Sequence, residues 1–152
     1  MAKVAIIMGS KSDEKIMENA HEYLSFFGIE FDTFIMSAHR TPDQTAEFAK
    51  NARKNGYAFI IAGAGMAAHL PGVIASHTTV PVIGVPLGGS ELNGVDALYS
   101  IVQMPRGVPV ATMAIGKSGA VNAAVYAAQI LAGSDKDIQE KLTKFRNNGC
   151  KL

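Results

Sequence analysis

Glu30-Phe31-Asp32-Thr33-Phe34-Ile35-Met36-Ser37-Ala38-His39-Arg40-Thr41-Pro42 is the stretch on which the fold turns. From Glu30 to Met36 polar and apolar residues alternate and Phe and Ile recur, the pattern of a strand with one more protected face. Pro42, with its fixed φ and missing N–H, suits the first helical position; Thr41 reads as the N-cap and Gln44 as its third-position partner in a capping box. His39 and Arg40 therefore fall between the carboxyl end of a strand and the amino end of a helix. In an open α/β sheet that edge binds ligands, because loops gather there and helix starts offer unpaired N–H groups. The His-Arg pair reads either as ligand-handling or as part of a loop that only caps its helix.

The same strand-then-helix unit recurs on both sides. Lys3 to Met8 is a short apolar run suited to a buried parallel strand, followed by Gly9-Ser10-Lys11-Ser12-Asp13. Ser10 with Asp13 forms a possible capping box, and Ile16, Met17, Ala20, Leu24 and Phe27 make a helical stripe ending at Gly28. This loop reads either as a glycine turn into a capped helix or as an anion site with Asp13 accepting from a sugar hydroxyl. A second helix is predicted from Pro42 to about Lys54, burying Phe48, Ala49 and Ala52. Tyr57 to Ala62 is the third strand and opens into Gly63-Ala64-Gly65-Met66-Ala67-Ala68-His69-Leu70-Pro71-Gly72, whose small residues leave the backbone open to a planar or phosphorylated ligand.

A short helix is expected over Leu70–His77 and a fourth strand over Val80–Val85, followed by a glycine-rich loop from Pro86 to Gly94. Val95 to Gln103 is helical in pattern, Met104-Pro105-Arg106-Gly107 breaks it, and Val108 to Met113 is the fifth strand. An alanine-rich helix from about Ala120 to Leu131 is thin enough for close packing, and a last helix spans Asp135–Asn147, docking on this sheet or on another subunit. Strands alternating with helices give one three-layer α/β/α domain over residues 1–152, flavodoxin-like, with a central parallel sheet of about five strands.

Composition narrows the partners. With 152 residues, 48% hydrophobic, 18% charged and net charge +1, the chain is one apolar-rich domain without the basic block of a nucleic-acid track. Low charge and the alanine-rich last third point to a surface covered by other copies of the chain. The start lacks a signal-peptide core, no run reaches the roughly 18 apolar residues of a membrane span, and the one cysteine, Cys150, fits a reducing cytoplasm. Gly63-Ala64-Gly65-Met66-Ala67-Ala68 fails as a dinucleotide fingerprint because it follows the third strand and lacks the downstream acid. Gly116-Lys117-Ser118 fails as an ATP loop because Ala111 stands where the first glycine belongs. His21, His39, His69 and His77 form no close metal-ligand cluster, and Gly-x-Ser-x-Gly is absent.

Four loops carry a family resemblance. Gly9-Ser10-Lys11-Ser12-Asp13, Ser37-Ala38-His39-Arg40-Thr41-Pro42, Ala62-Gly63-Ala64-Gly65 with Ala67-Ala68-His69-Leu70-Pro71-Gly72, and Ser100-Ile101-Val102-Gln103-Met104-Pro105 resemble the bacterial N5-carboxyaminoimidazole ribonucleotide mutases of de novo purine synthesis, in order from Val4 to Leu131. Two departures are Met66, where many members carry glycine, and Leu87-Gly88-Gly89-Ser90-Glu91.

The resemblance implies transfer of a carboxylate from the exocyclic amine of an imidazole nucleotide to ring carbon C4, by loss, trapping and recapture of CO₂. It makes His39 the acid/base, a role that imidazole chemistry suits near neutral pH. It gives the phosphate to Ser10, Ser12 and Arg40, ribose hydroxyls to Asp13, and the ring and its surroundings to Ser37, Ala38, Gly63, Ala64, Gly65, Met66 and Ala67. His69 and Leu70 would wall a CO₂ chamber, unless His69 only makes a structural hydrogen bond at its helix start. No metal or cofactor is implied. The expected partners are the nucleotide, an octamer of this chain with shared sites, and transient handover from the synthetase that makes the carbamate. Direct carboxylation of aminoimidazole ribonucleotide, or a nucleotide-binding module without catalysis, are the alternatives.

Overall fold

Five runs form one parallel sheet: β1 (Lys3–Met8), β2 (Glu30–Ile35), β3 (Tyr57–Gly65), β4 (Val82–Leu87) and β5 (Ala111–Thr112), in the order β2-β1-β3-β4-β5. The structure, a computed structural model, describes residues 2–152; Met1, at the head of the first-strand stretch, lies outside the described residues. The helices are α1 (Glu14–Met17), α2 (Asn19–Phe27), α3 (Pro42–Asn51), α4 (Leu70–His77), α5 (Val95–Val102), α6 (Lys117–Leu131) and α7 (Lys136–Asn147).

Strand periodicity sorts the core into two halves. Val4, Ile6, Met8, Phe59, Ile61, Ile83, Val85 and Leu87 point to one face and pack with residues of α2, α6 and α7 such as Leu24, Ala123 and Phe145. Ala5, Ile7, Ile60, Ala62 and Val82 point to the other, against Ala49 of α3, Ile74 of α4 and Ile101 of α5. Each fully buried Leu, Ile or Phe contributes about 1.5–3 kcal/mol relative to exposure. This is the flavodoxin-like three-layer architecture expected.

Local details differ from the sequence reading. No side-chain cap forms at Thr41, whose hydroxyl instead accepts from the Ser37 N–H at 2.9 Å and donates to the Ser37 carbonyl at 3.1 Å. Ser10 caps a 3-10 turn over Lys11–Asp13, and the first helix divides into α1 and α2. Just past that division the Asn19 amide donates to the Lys15 and Ile16 carbonyls, competing with the regular ladder. Helix α3 ends at Asn51 rather than Lys54. Strand β3 runs on to Gly65 and β4 to Leu87, because these segments still pair, Gly65 with Leu87. Strand β5 shrinks to two residues; Pro109, inside the predicted strand, has no N–H to give a ladder.

The alanines of α6 correct an expectation. Ala120, Ala123, Ala124, Ala127 and Ala128 are fully buried within the chain, where α6 lies against α2 and the sheet, so they serve internal packing rather than contact between copies. Helix α7 docks on the same domain, with Phe145 edge-on to Phe27 (centroids 5.6 Å apart) and to Tyr23 (6.0 Å). His21, on α2, is half-buried and stacked on Phe31 at 4.6 Å.

Candidate active site

The strand order decides where a ligand can sit. The chain leaves β1 toward β2 on one side and then crosses to β3 on the other, so the connections after β1 and β3 diverge and open a crevice at the carboxyl edge. A cleft of about 770 Å³ occupies that position, lined from four strand ends.

From the end of β1 come Gly9, Ser10, Ser12 and Asp13. The Ser10 hydroxyl accepts from the Ser12 N–H at 3.3 Å and lies 2.9 Å from the Ser12 hydroxyl, so the turn presents two adjacent hydroxyls. Burial raises the Asp13 carboxyl above the ordinary carboxylate range, partly offset by a backbone hydrogen bond from Ser10.

From the end of β2 come Ser37, Ala38, His39 and Arg40. Ser37 is the hub of this loop. Its carbonyl accepts from the hydroxyls of Thr41 at 3.1 Å and Thr45 at 3.2 Å, and its own hydroxyl accepts from the Arg40 N–H at 3.1 Å. Thr45 is fully buried and also donates to the Thr41 carbonyl at 3.0 Å, tying the loop to the first turn of α3. The backbone that carries His39 and Arg40 is thus braced by side chains of the helix that follows it.

From the end of β3 come Ala64, Gly65, Met66, Ala67, Ala68, His69 and Leu70. His39 Nε2 lies 2.6 Å from His69 Nδ1, with the rings edge-on at 82° and centroids 4.7 Å apart. An N···N contact of this length holds one proton, with one ring donating and the other accepting. His69 occupies the N-cap position of α4 but makes no side-chain cap there; its ring engages His39 instead of the helix start. Met66 adopts φ 54°, a left-handed conformation that costs a non-glycine residue on the order of 1 kcal/mol.

Thirteen of the fourteen residues that the resemblance names line this one cleft; Gly63 does not. Gly63 lies within β3, opposite Met8 and Val85, and faces the buried side chain of Met17. Gly88 and Gly89, at the end of β4, also line the cleft although the sequence reading assigned them no role. Their position just past a strand, at the edge shared by the other three loops, was the available signal. Ile16 joins them from α1.

Paired hydroxyls and a guanidinium suit a phosphate, a carboxyl suits sugar hydroxyls, and a proton-sharing imidazole pair stands beside an open strip of small residues. Fold and site together define a doubly wound α/β protein with a nucleotide-sized cleft equipped for proton transfer. The chain belongs to the AIR carboxylase family, whose model matches residues 3–151. A Haemophilus influenzae protein named N5-carboxyaminoimidazole ribonucleotide mutase is 57% identical over 147 residues, covering 97% of this chain and 90% of its own length. A Bacillus subtilis protein of the same name is 55% identical over 145 residues, covering 95% and 90%. The crystal structure of Treponema denticola PurE superposes with a TM-score of 0.89 at 28% identity, covering 99% of this chain and 92% of that one.

Proposed function

We propose that this chain is an N5-carboxyaminoimidazole ribonucleotide mutase of purine biosynthesis, with His39 as its acid/base. The observation that carries the reading is the 2.6 Å contact between His39 and His69 in a cleft whose other walls offer phosphate and sugar partners. Ser10, Ser12 and Arg40 hold the 5′-phosphate and Asp13 accepts from the ribose, which leaves the imidazole against Ser37, Ala38 and the Ala64–Ala67 strip. The exocyclic N–CO₂ bond breaks as a proton reaches that nitrogen, releasing CO₂ beside the ring. The electron pair of C4 then forms the new C–C bond to CO₂, and the C4 proton is removed to restore aromaticity. One imidazole serves both transfers, giving a proton first and taking one last. His69 hydrogen-bonds that imidazole and orients it, and with Leu70 it walls the space in which CO₂ is kept from water.

The same reading makes the enzyme a cytoplasmic homo-octamer with shared sites, fed by the synthetase that makes the carbamate. Among the described residues no helix is long and apolar enough to cross a membrane. Val95, Tyr99 and Val102 form an exposed apolar stripe on α5, at 42%, 65% and 46% exposure, and this supports self-association where the alanines of α6 do not. Light scattering at micromolar concentration is expected to give eight chain masses; a monomer would refute the assembly.

The test of the chemistry is conversion of freshly made N5-carboxyaminoimidazole ribonucleotide to its C4-carboxylated isomer at low bicarbonate, with and without His39→Asn. Turnover is expected from the unsubstituted protein, and a loss of at least a hundredfold with ligand binding retained is expected from the variant, in the range of roughly 10²–10⁴ for general acid–base catalysis. Product only from aminoimidazole ribonucleotide at high CO₂ would make the protein a direct carboxylase instead.

A further inference from the structure

The strip from Gly63 to Ala68 contains only glycine and alanine apart from Met66. Met66 lines the cleft, is 66% exposed, and has a positive φ of 54°. A flexible apolar side chain held in open solvent by a strained backbone gains nothing from the core: it is absent from both buried clusters. Backbone strain of this kind persists where the surrounding structure over-determines it, and it concentrates at ligand clamps.

We infer that Met66 is a specificity-determining residue whose thioether chain folds over the flat heteroaromatic ring of the bound nucleotide. The inference rests on the ribonucleotide reading above. Three features of the cleft favour a ring as the occupant. Of the phosphate and sugar partners, Ser10, Ser12 and Asp13 belong to the β1 loop and Arg40 to the β2 loop, whereas Met66 belongs to the β3 loop, beside the β1 loop at the switch point. The neighbours of Met66 along the strip carry no side chain beyond Cβ, so a planar group can approach the backbone closely there. Thioether sulfur packs favourably against aromatic rings, and three rotatable bonds let it close after the ligand has entered. The strip supplies one open wall and Met66 supplies the cover.

The experiment compares two ligands by titration calorimetry: aminoimidazole ribonucleotide, which has the ring, and ribose 5-phosphate, which lacks it. Met66→Gly suits the left-handed backbone and so keeps the fold. It is expected to weaken aminoimidazole ribonucleotide about tenfold, equivalent to about 1.4 kcal/mol, while ribose 5-phosphate binds unchanged. Met66→Leu, apolar and of similar size, is expected to restore most of the affinity. Equal losses for both ligands, or no loss for either, would overturn the inference. A changed assembly mass in Met66→Gly with ring affinity intact would also overturn it, by making Met66 an interface residue. Failure of the unsubstituted protein to bind either ligand would overturn the ribonucleotide reading, and this inference with it.

Discussion

Gly63→Ala separates two roles that the sequence cannot tell apart. Gly63 stands in the loop motif that resembles a substrate-binding strip, yet its missing side chain points at Met17, the fully buried last residue of α1. An added Cβ would overlap the Met17 sulfur, come within 2.9 Å of its terminal methyl and within 3.0 Å of Cγ. The overlap falls on the flexible thioether end of Met17, which must shift within the buried core to make room. Overpacking of this kind costs about 1–3 kcal/mol. For a domain of this size each kcal/mol lowers the melting temperature by roughly 2–4 °C, so a decrease between about 2 and 12 °C is expected. Ligand affinity should stay within about twofold, because Gly63 does not line the cleft. Thermal denaturation and ligand titration on the same preparation measure both. Combining Gly63→Ala with Met17→Val should recover part of the loss, since the two residues touch and their effects are not additive. Full stability with lost ligand binding would refute the assignment of Gly63 to the core.

Two further outcomes test the packing around α2. Phe145→Ala removes a ring that meets Tyr23, Phe26 and Phe27, and is expected to cost about 3–5 kcal/mol, read as a lower urea midpoint with loss of amide protection across α7. The His21 ring is pushed below the ordinary histidine value by burial, against the pull of Glu18 and Glu14, so the folded state binds fewer protons than the unfolded one just below that value. Stability contributed by neutral His21 is therefore present above about pH 6.5 and is lost as pH falls through the folded value. The urea midpoint should drop more between pH 7.5 and 5.5 in the unsubstituted protein than in His21→Phe, which keeps the stack on Phe31; equal drops would refute the assignment.

Most of the cleft lining was legible because it lies where periodicity changes. Ser10, Ser12 and Asp13 follow an apolar run, Ser37 to Arg40 follow an alternating one, and Ala64 to Leu70 follow a third. Local signals failed where a side chain had competing partners. Thr41 reads as a helix cap because it precedes Pro42, but Ser37 offers it both a donor and an acceptor four residues away. No ligand role falls to Gly88 and Gly89 in the sequence because glycine in a loop carries no chemistry of its own; only the shared sheet edge gives those positions meaning.

By itself the sequence determined the order and type of the elements, and with them a parallel sheet whose carboxyl edge holds the loops that line the cleft, since repeat periods and turn residues act over a few neighbours. The tertiary structure alone decided three things. It brought His39 within 2.6 Å of His69 across 30 residues of chain, turned Gly63 away from the cleft toward Met17, and set the alanines of α6 against α2 rather than another copy. Each depends on which strand lies beside which and on which face of the sheet a given residue meets. Those relations are set by pairing between segments distant in the chain, and no local pattern encodes them.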